Sequence, residues 1–423
     1  MTGRALRVRS GALVTGHAGR RSLRARLRGA VLFGPALVAS IAYVDPGNVA
    51  TNAQAGARYG YLLVWVVVLA NAMAALVQYL SAKLGLSTGR SLPEVLRDRM
   101  PDSLRLAYWA QAEAIAIATD LAEVLGGAIA LALLFGMPLP WGGLITGLVS
   151  TLLLRVQSSA GQQAFERLIA VFLGIIAVGF AAGLFLRFPA PAAVAAGLVP
   201  RFSGSGSILL ATGIIGATVM PHAIYLHSAL ARDRHGRRSG AELQRLLVAT
   251  RYEVATVMAF SGLVNVVLLL LAASALGGTA AGTLPGVYAA IAHSLGPVIA
   301  LLFAVGLLAS GLASTSIGCY AGAVVMDGLL RKRVPLLARR VVTIVPAVVL
   351  LAAGLSPTWL LVISQVALSF GIPFALIPLV VLTARRTVMG EHANGIATTI
   401  CACAVVAAIC VLNAVLVYLT FAS

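Results

Sequence analysis

Eleven long apolar runs follow one another along this chain with little between them. A helix needs about 20 mainly apolar residues to cross the hydrocarbon core of a bilayer. The runs therefore predict an all-α polytopic membrane protein with 11 transmembrane helices. Their limits fall near 31–57, 61–83, 104–135, 139–155, 165–187, 206–230, 247–275, 287–330, 337–353, 357–384 and 393–420. Segments 104–135 and 287–330 exceed one crossing. Each reads as one helix with an extension beyond the bilayer or an attached surface helix. A chain that is 60% hydrophobic and 10% charged, with mean hydropathy +0.97, is neither a soluble globular domain nor a disordered one.

The formal net charge of +18 suggests nucleic acid until its distribution is read. Of the 31 Lys and Arg, all but Arg58, Arg187 and Arg201 lie in or beside alternate connections, beginning with the N-terminal tail. Basic residues accumulate on the cytoplasmic side of a membrane. The N-terminus is expected inside and the C-terminus outside, which an odd number of spans requires. The excess is thus a topology signal, with attraction to anionic lipid headgroups as a side effect. Residues 1–30, which hold eight Arg and no acid, read as a disordered basic cytoplasmic tail. Residues 31–423 form a single transmembrane domain.

Two of the expected helices carry a breaking motif mid-run. Asp45-Pro46-Gly47-Asn48 interrupts 31–57, and Met220-Pro221-His222 interrupts 206–230. Proline lacks an N–H and clashes with the preceding turn. In lipid such a break survives only against protein or a water-filled cavity. Paired broken helices point to a transporter's substrate site. Asp45 and Met220 lie 175 residues apart, a separation that fits five spans per repeat. Five is odd, so the second repeat sits upside down relative to the first. The expected plan is repeat one at about 31–187, repeat two at about 206–384, and an extra helix at about 393–420.

The residues at the breaks suggest a cation. An acid at mid-membrane costs at least about 2.5–3.5 kcal/mol on insertion scales. Asp45, the amide oxygen of Asn48 and freed carbonyls offer hard oxygen ligands, which suit Mg²⁺, Ca²⁺ or Na⁺. The Met220 thioether is soft and shifts the preference toward first-row transition metals. His222 suits proton handling, because imidazole changes charge near neutral pH. His227 reads as structural. Asp120 and Glu123 share a helix face, with Glu113 one to two turns earlier. Intramembrane acids in series mark ion or proton relays, and Arg339 and Arg340 could partner them. Cys319, Cys401, Cys403 and Cys410 read as buried apolar packing. Gly318 and Gly322 could let helices approach closely, within the protein or between copies.

These motifs resemble the Nramp family (natural-resistance-associated macrophage proteins), across about residues 30–420. Besides DPGN and MPH, the segments ATNAQAGARYGY, QYLSAKLG, ATDLAEVLGGA and GATVMPHAIYLHSAL carry the likeness. The resemblance implies proton-linked uptake of Mn²⁺ and Fe²⁺ through an inverted-repeat fold like that of sodium-coupled amino-acid symporters. It implies metal ligation by the side chains of Asp45, Asn48 and Met220 and by the carbonyls of Ala42 and Ala217. Gln365 would join them in an occluded state. It implies a proton pathway through His222, Asp120, Glu123, Arg339 and Arg340. No permanent cofactor, nucleic acid or obligate protein partner is expected. The partners are divalent metal ions, protons and membrane lipids, and the location is the cell membrane.

Three other functions remain open on the residues. An organic-solute symporter of the same fold would need a first break free of acids for a substrate carboxylate, which Asp45 opposes. An intramembrane hydrolase would need an activated nucleophile or metal-bound water, and neither HExxH nor GxSxG occurs. A non-transporting metal sensor is separated from a transporter by a flux assay.

Overall fold

The computed structural model describes residues 34–276, 283–332 and 334–422. The tail expected at 1–30 and the first residues of the first expected span lie outside them. Among the described residues every regular element is a helix.

The first apolar run is split. Helix α1 (Pro35–Ser40) tightens into a 3-10 turn (Ile41–Val44), and α2 (Pro46–Tyr59) starts afresh at the proline. Helix α3 (Val64–Thr88) ends at Gly89, whose φ of 65° suits a residue without a Cβ. A short α4 (Leu92–Arg97) with a Ser91/Glu94 capping box leads into α5 (Asp102–Phe135), α6 (Leu139–Ala160) and α7 (Gln162–Leu186). After α8 (Pro191–Ala196), the second split run gives α9 (Gly204–Thr218) and α10 (Pro221–His235). Then come α11 (Gly240–Leu276), α12 (Leu284–Leu295), α13 (Pro297–Leu330), α14 (Leu336–Ala352), α15 (Pro357–Ala384), α16 (Arg386–Met389) and α17 (Ile396–Ala422). Among the described residues, nine stretches are long and apolar enough to cross a membrane, with α9 and α10 counted as one. The run 104–135 is a single helix. The run 287–330 is not: Gly296, at φ 94°, separates α12 from α13.

Helices α5 and α13 form the central pair. They approach through glycine: a Cβ on Gly311 would lie 2.7 Å from the Gly127 nitrogen. Helices α7 and α13 meet similarly, where a Cβ on Gly179 would lie 2.6 Å from the Leu302 carbonyl oxygen. Without a hydrophobic force between helices in lipid, such close backbone contact carries much of the packing. The outer helices turn apolar faces outward, as with Val171, Val178 and Phe185 of α7 and Ile396, Ile400 and Val411 of α17. Cys319 is buried, but Cys401 and Cys403 are exposed. That corrects the expectation of buried cysteines, because α17 packs through only one face.

The glycine contacts make a testable contrast. Gly311→Val should lower the thermal midpoint of the purified protein by several degrees, since overpacking a tight contact costs about 1–3 kcal/mol. Gly174→Val should leave it nearly unchanged, because a Cβ there meets nothing within 4 Å. Equal midpoints for the two variants would refute backbone proximity as the packing device.

Candidate metal site at the two helix breaks

The second break frees one defined carbonyl. A carbonyl in an α-helix normally accepts from the N–H four residues on, and Pro221 has none to return to Ala217. At the first break the helix has already tightened into the 3-10 turn Ile41–Val44, where carbonyls look three residues on, and Pro46 supplies no N–H to carry the ladder across. The surrounding backbone is served from outside. Asn265 Nδ2 of α11 donates to the Tyr43 carbonyl at 2.7 Å, and Ser310 Oγ of α13 donates to the Val44 carbonyl at 2.5 Å. Asp45, extended at φ −72° and ψ 167°, caps α2. Its Oδ1 accepts from the Asn48 backbone N–H at 2.8 Å and from Asn48 Nδ2 at 2.6 Å.

The two breaks meet through Asn48. The same Nδ2 donates to the Ala217 carbonyl at 3.0 Å. Thr218 Oγ1 lies 3.3 Å from Asn48 Oδ1. Two acceptors on one side of the amide fix its orientation. Val219 and Met220 are extended, and Met220 is fully buried at the start of α10. Asp45 and Asn48 are also buried.

Gln365 of α15 reaches the first break. A Cβ on Gly47 would collide with its amide and lie 3.0 Å from Asp45 Oδ2. Among the described residues, neither polar atom of the Gln365 amide has a hydrogen-bond partner. A buried unpartnered amide beside a carboxylate is expensive unless something else uses it. Among the described residues no group of three His, Cys, Asp or Glu side chains is set to hold a metal. A cation at the breaks would therefore draw on a mixed set of carboxylate, amide, carbonyl and thioether.

The acids of α5 have different surroundings. Asp120 pairs with Arg340 at 2.6 Å, both about 1% exposed, and accepts from Thr315. Arg340 also bonds Ser150 and, at 2.9 Å, Thr315 Oγ1. Glu113 pairs with Arg339 at 2.9 Å. Among the described residues Glu123 has no ion-pair partner, and its oxygens make no well-formed hydrogen bond. It lies against Gly318, where a Cβ would come within 2.7 Å of Oε2. Gly322 likewise leaves room for the Arg339 guanidinium. The small-residue pair thus serves charged side chains within the protein. His222 is buried, with neither ring nitrogen partnered among the described residues. His227 Nδ1 lies 2.7 Å from Gln78 Oε1, and Gln78 Nε2 donates to the Tyr43 hydroxyl at 2.5 Å.

Several of these partners escaped the sequence reading. Asn265, Ser310, Thr218 and Gln78 are polar residues inside apolar runs, which is the signal that could have drawn attention to them. At the far end of α10, Arg232 bonds Glu94 of α4, which lies between two of the long stretches. Burial pushes the Glu94 carboxyl up, but the Ser91 N–H and the Arg232 guanidinium outweigh it and hold it below its ordinary value.

The same chain can be set beside known proteins. The family model for natural resistance-associated macrophage protein-like sequences matches residues 36–419. A protein named divalent metal cation transporter MntH from Mycobacterium tuberculosis is 58% identical over 391 residues, covering 92% of this chain and 91% of the relative. A solved manganese transporter of Eremococcus coleocola, bound to an aromatic bis-isothiourea compound, superposes with a TM-score of 0.84 at 29% identity. That match covers 95% of this chain and 87% of the other. A nucleobase-cation-symport-1 family transporter shares the fold at a TM-score of 0.61 and 15% identity, over 91% of this chain and 89% of its own. With broken helices, a buried Asp–Asn–Met set and a family match along nearly its whole length, this multi-pass membrane chain belongs to the Nramp family.

Proposed function

We propose that this chain imports divalent transition-metal ions, Mn²⁺ and Fe²⁺ among them, by proton-coupled alternating access. The observation that carries the reading is the junction of the two breaks. Asn48 joins the Asp45 carboxylate to the Ala217 carbonyl, which Pro221 leaves without its helical donor. In this reading the cargo is held by Asp45, Asn48, Met220, the carbonyls of Ala42 and Ala217 and, when occluded, Gln365. Asn48 turns its amide oxygen inward as the ion enters. The names of the relatives, a divalent metal cation transporter and a manganese transporter, support the substrate class. No step calls for a resident cofactor or enzymatic chemistry. An acid in the first break also argues against a carboxylate-bearing organic cargo.

The finer architecture belongs to the same proposal. The nine long stretches, together with the first broken helix and α14, give 11 crossings. Residues 31–423 form one domain of two inverted five-helix repeats and an extra helix. The N-terminus is cytoplasmic and the C-terminus extracellular in the cell membrane. Protons travel by His222, Asp120 and Glu123 toward Arg339 and Arg340, with Glu123 as the acid of that route without a cationic partner among the described residues. Lipids surround the apolar outer faces.

Three measurements test this reading. Asp45→Asn should insert and fold but neither bind nor move Mn²⁺, having lost the anionic ligand; unchanged Mn²⁺ affinity by calorimetry would remove Asp45 from the site. Asp120→Asn should still bind metal while losing most metal-stimulated proton flux in proteoliposomes. Normal proton flux in that variant would refute its part in the pathway. Met220→Ala should retain weakened Mn²⁺ uptake but become sensitive to excess Mg²⁺. Losing sulfur costs a soft-accepting metal a ligand and costs a hard metal almost nothing. If Mg²⁺ competes no better against the variant than against the parent, the thioether is not the selectivity element.

A further inference from the structure

Helix α15 contains two internal prolines, Pro373 and Pro378. Each withholds an N–H from the carbonyl four residues earlier, at Ser369 and Phe374. Both carbonyls are met from other helices. Asn413 Nδ2 of α17 donates to Ser369 at 2.8 Å. The Tyr108 hydroxyl of α5 donates to Phe374. With its one proton used there, Tyr108 can only accept from Tyr225 of α10, whose hydroxyl lies 2.8 Å away. Both tyrosines are buried, and the Tyr108 ring stands edge-on to Phe374 with centroids 6.3 Å apart.

Three helices are thus joined by two hydroxyls in series. Helix α10 donates, α5 bridges, and α15 accepts through a carbonyl that a proline has made available. Tyr225 lies about one turn past His222 on the half-helix that starts beside Met220. It also lines a cavity of about 10 Å³ shared with Pro221, His222, Gln111, Ile115 and Gly371. On another side α10 is held to α3 and α4, where Ser81 Oγ donates to the Ile224 carbonyl at 2.6 Å and Ser228 Oγ accepts from the Leu92 N–H at 2.9 Å.

We infer that Tyr108 is a positioning residue: it ties α10 to α5 and α15 through the Tyr225 hydroxyl, and so sets how readily the half-helix beyond the metal site swings away. The consequence for transport rests on the metal-import reading; the tie itself does not. Hydroxyl chains of this kind suit a reversible contact. A net hydrogen bond is weak enough to break in each cycle, while a buried orphan hydroxyl is costly enough to favour re-forming it.

Hydrogen–deuterium exchange on the full chain in lipid nanodiscs, without metal, tests the tie. Tyr108→Phe should speed exchange of α10 amides about fivefold, the factor that one net hydrogen bond supplies, and leave α7 amides unchanged. Tyr225→Phe should act in the same direction while keeping the Tyr108–Phe374 bond, so it reports on α10 even if Tyr108→Phe folds poorly. The double variant should exchange no faster than Tyr108→Phe, since each change removes the same link. It should also melt higher than Tyr108→Phe, because no hydroxyl is left orphaned. Unchanged α10 exchange in the single variants, an equal rise in α7 and α10, or additive effects in the double would each overturn the inference. Mn²⁺ uptake by the parent protein is measured separately. Its absence would overturn the transport reading and leave the exchange result standing on its own.

Discussion

A proline inside a bilayer withholds one N–H, and the carbonyl it abandons has no water to turn to. Much of this structure follows from meeting that demand. At Pro221 the abandoned Ala217 carbonyl is taken by Asn48, at Pro373 that of Ser369 by Asn413, and at Pro378 that of Phe374 by Tyr108. Each solution draws a side chain from a different helix, so a local defect becomes a long-range tie. The breaks weaken single helices and in return fix how helices sit against one another.

The charged residues obey a related economy. Removing an ion from water costs several kcal/mol, which only good geometry and further hydrogen bonds offset. Arg340 meets this requirement with Asp120, Thr315 and Ser150 around it. Glu123 lies one helical turn from Asp120 with no such company. Two acids on one face of α5 are therefore chemically unlike: one is a fixed member of an ion-paired cluster, and the other is a buried carboxyl with no cation beside it among the described residues. That asymmetry comes from α13 and α14, not from α5.

This explains what could be read in advance. Apolar run length and proline position are local properties, so both breaks appeared where expected, with Asp45 and Met220 as the extended residues that cap the second half of each broken helix. The attached helix that the length of 287–330 allowed is α12, but its boundary at Gly296 was not legible, because hydropathy does not change across it; only the backbone does. Which arginine faces which acid was not legible, since Arg339–Glu113 and Arg340–Asp120 join residues more than 200 positions apart. The same holds for Asn265 and Ser310, whose role as donors to the first break exists only once α11 and α13 are packed. Cys401 and Cys403 face outward because the rotation of α17 is set by its neighbours. Gly318 and Gly322 looked like a helix-contact motif and instead accommodate a carboxylate and a guanidinium.

The Asn48 amide has one more implication. Its NH₂ group lies against the Asp45 carboxylate and the Ala217 carbonyl, in the role of a small built-in cation. A carrier must make half of every round trip empty, and an empty site lined with bare oxygens would either drag water through the membrane or stall. Here the vehicle brings its own ballast. Under the proposed metal reading, an arriving ion contends with a tethered donor that never diffuses away. On that reading the threshold for loading is written into the side-chain torsion of one asparagine as well as into the ion's hydration.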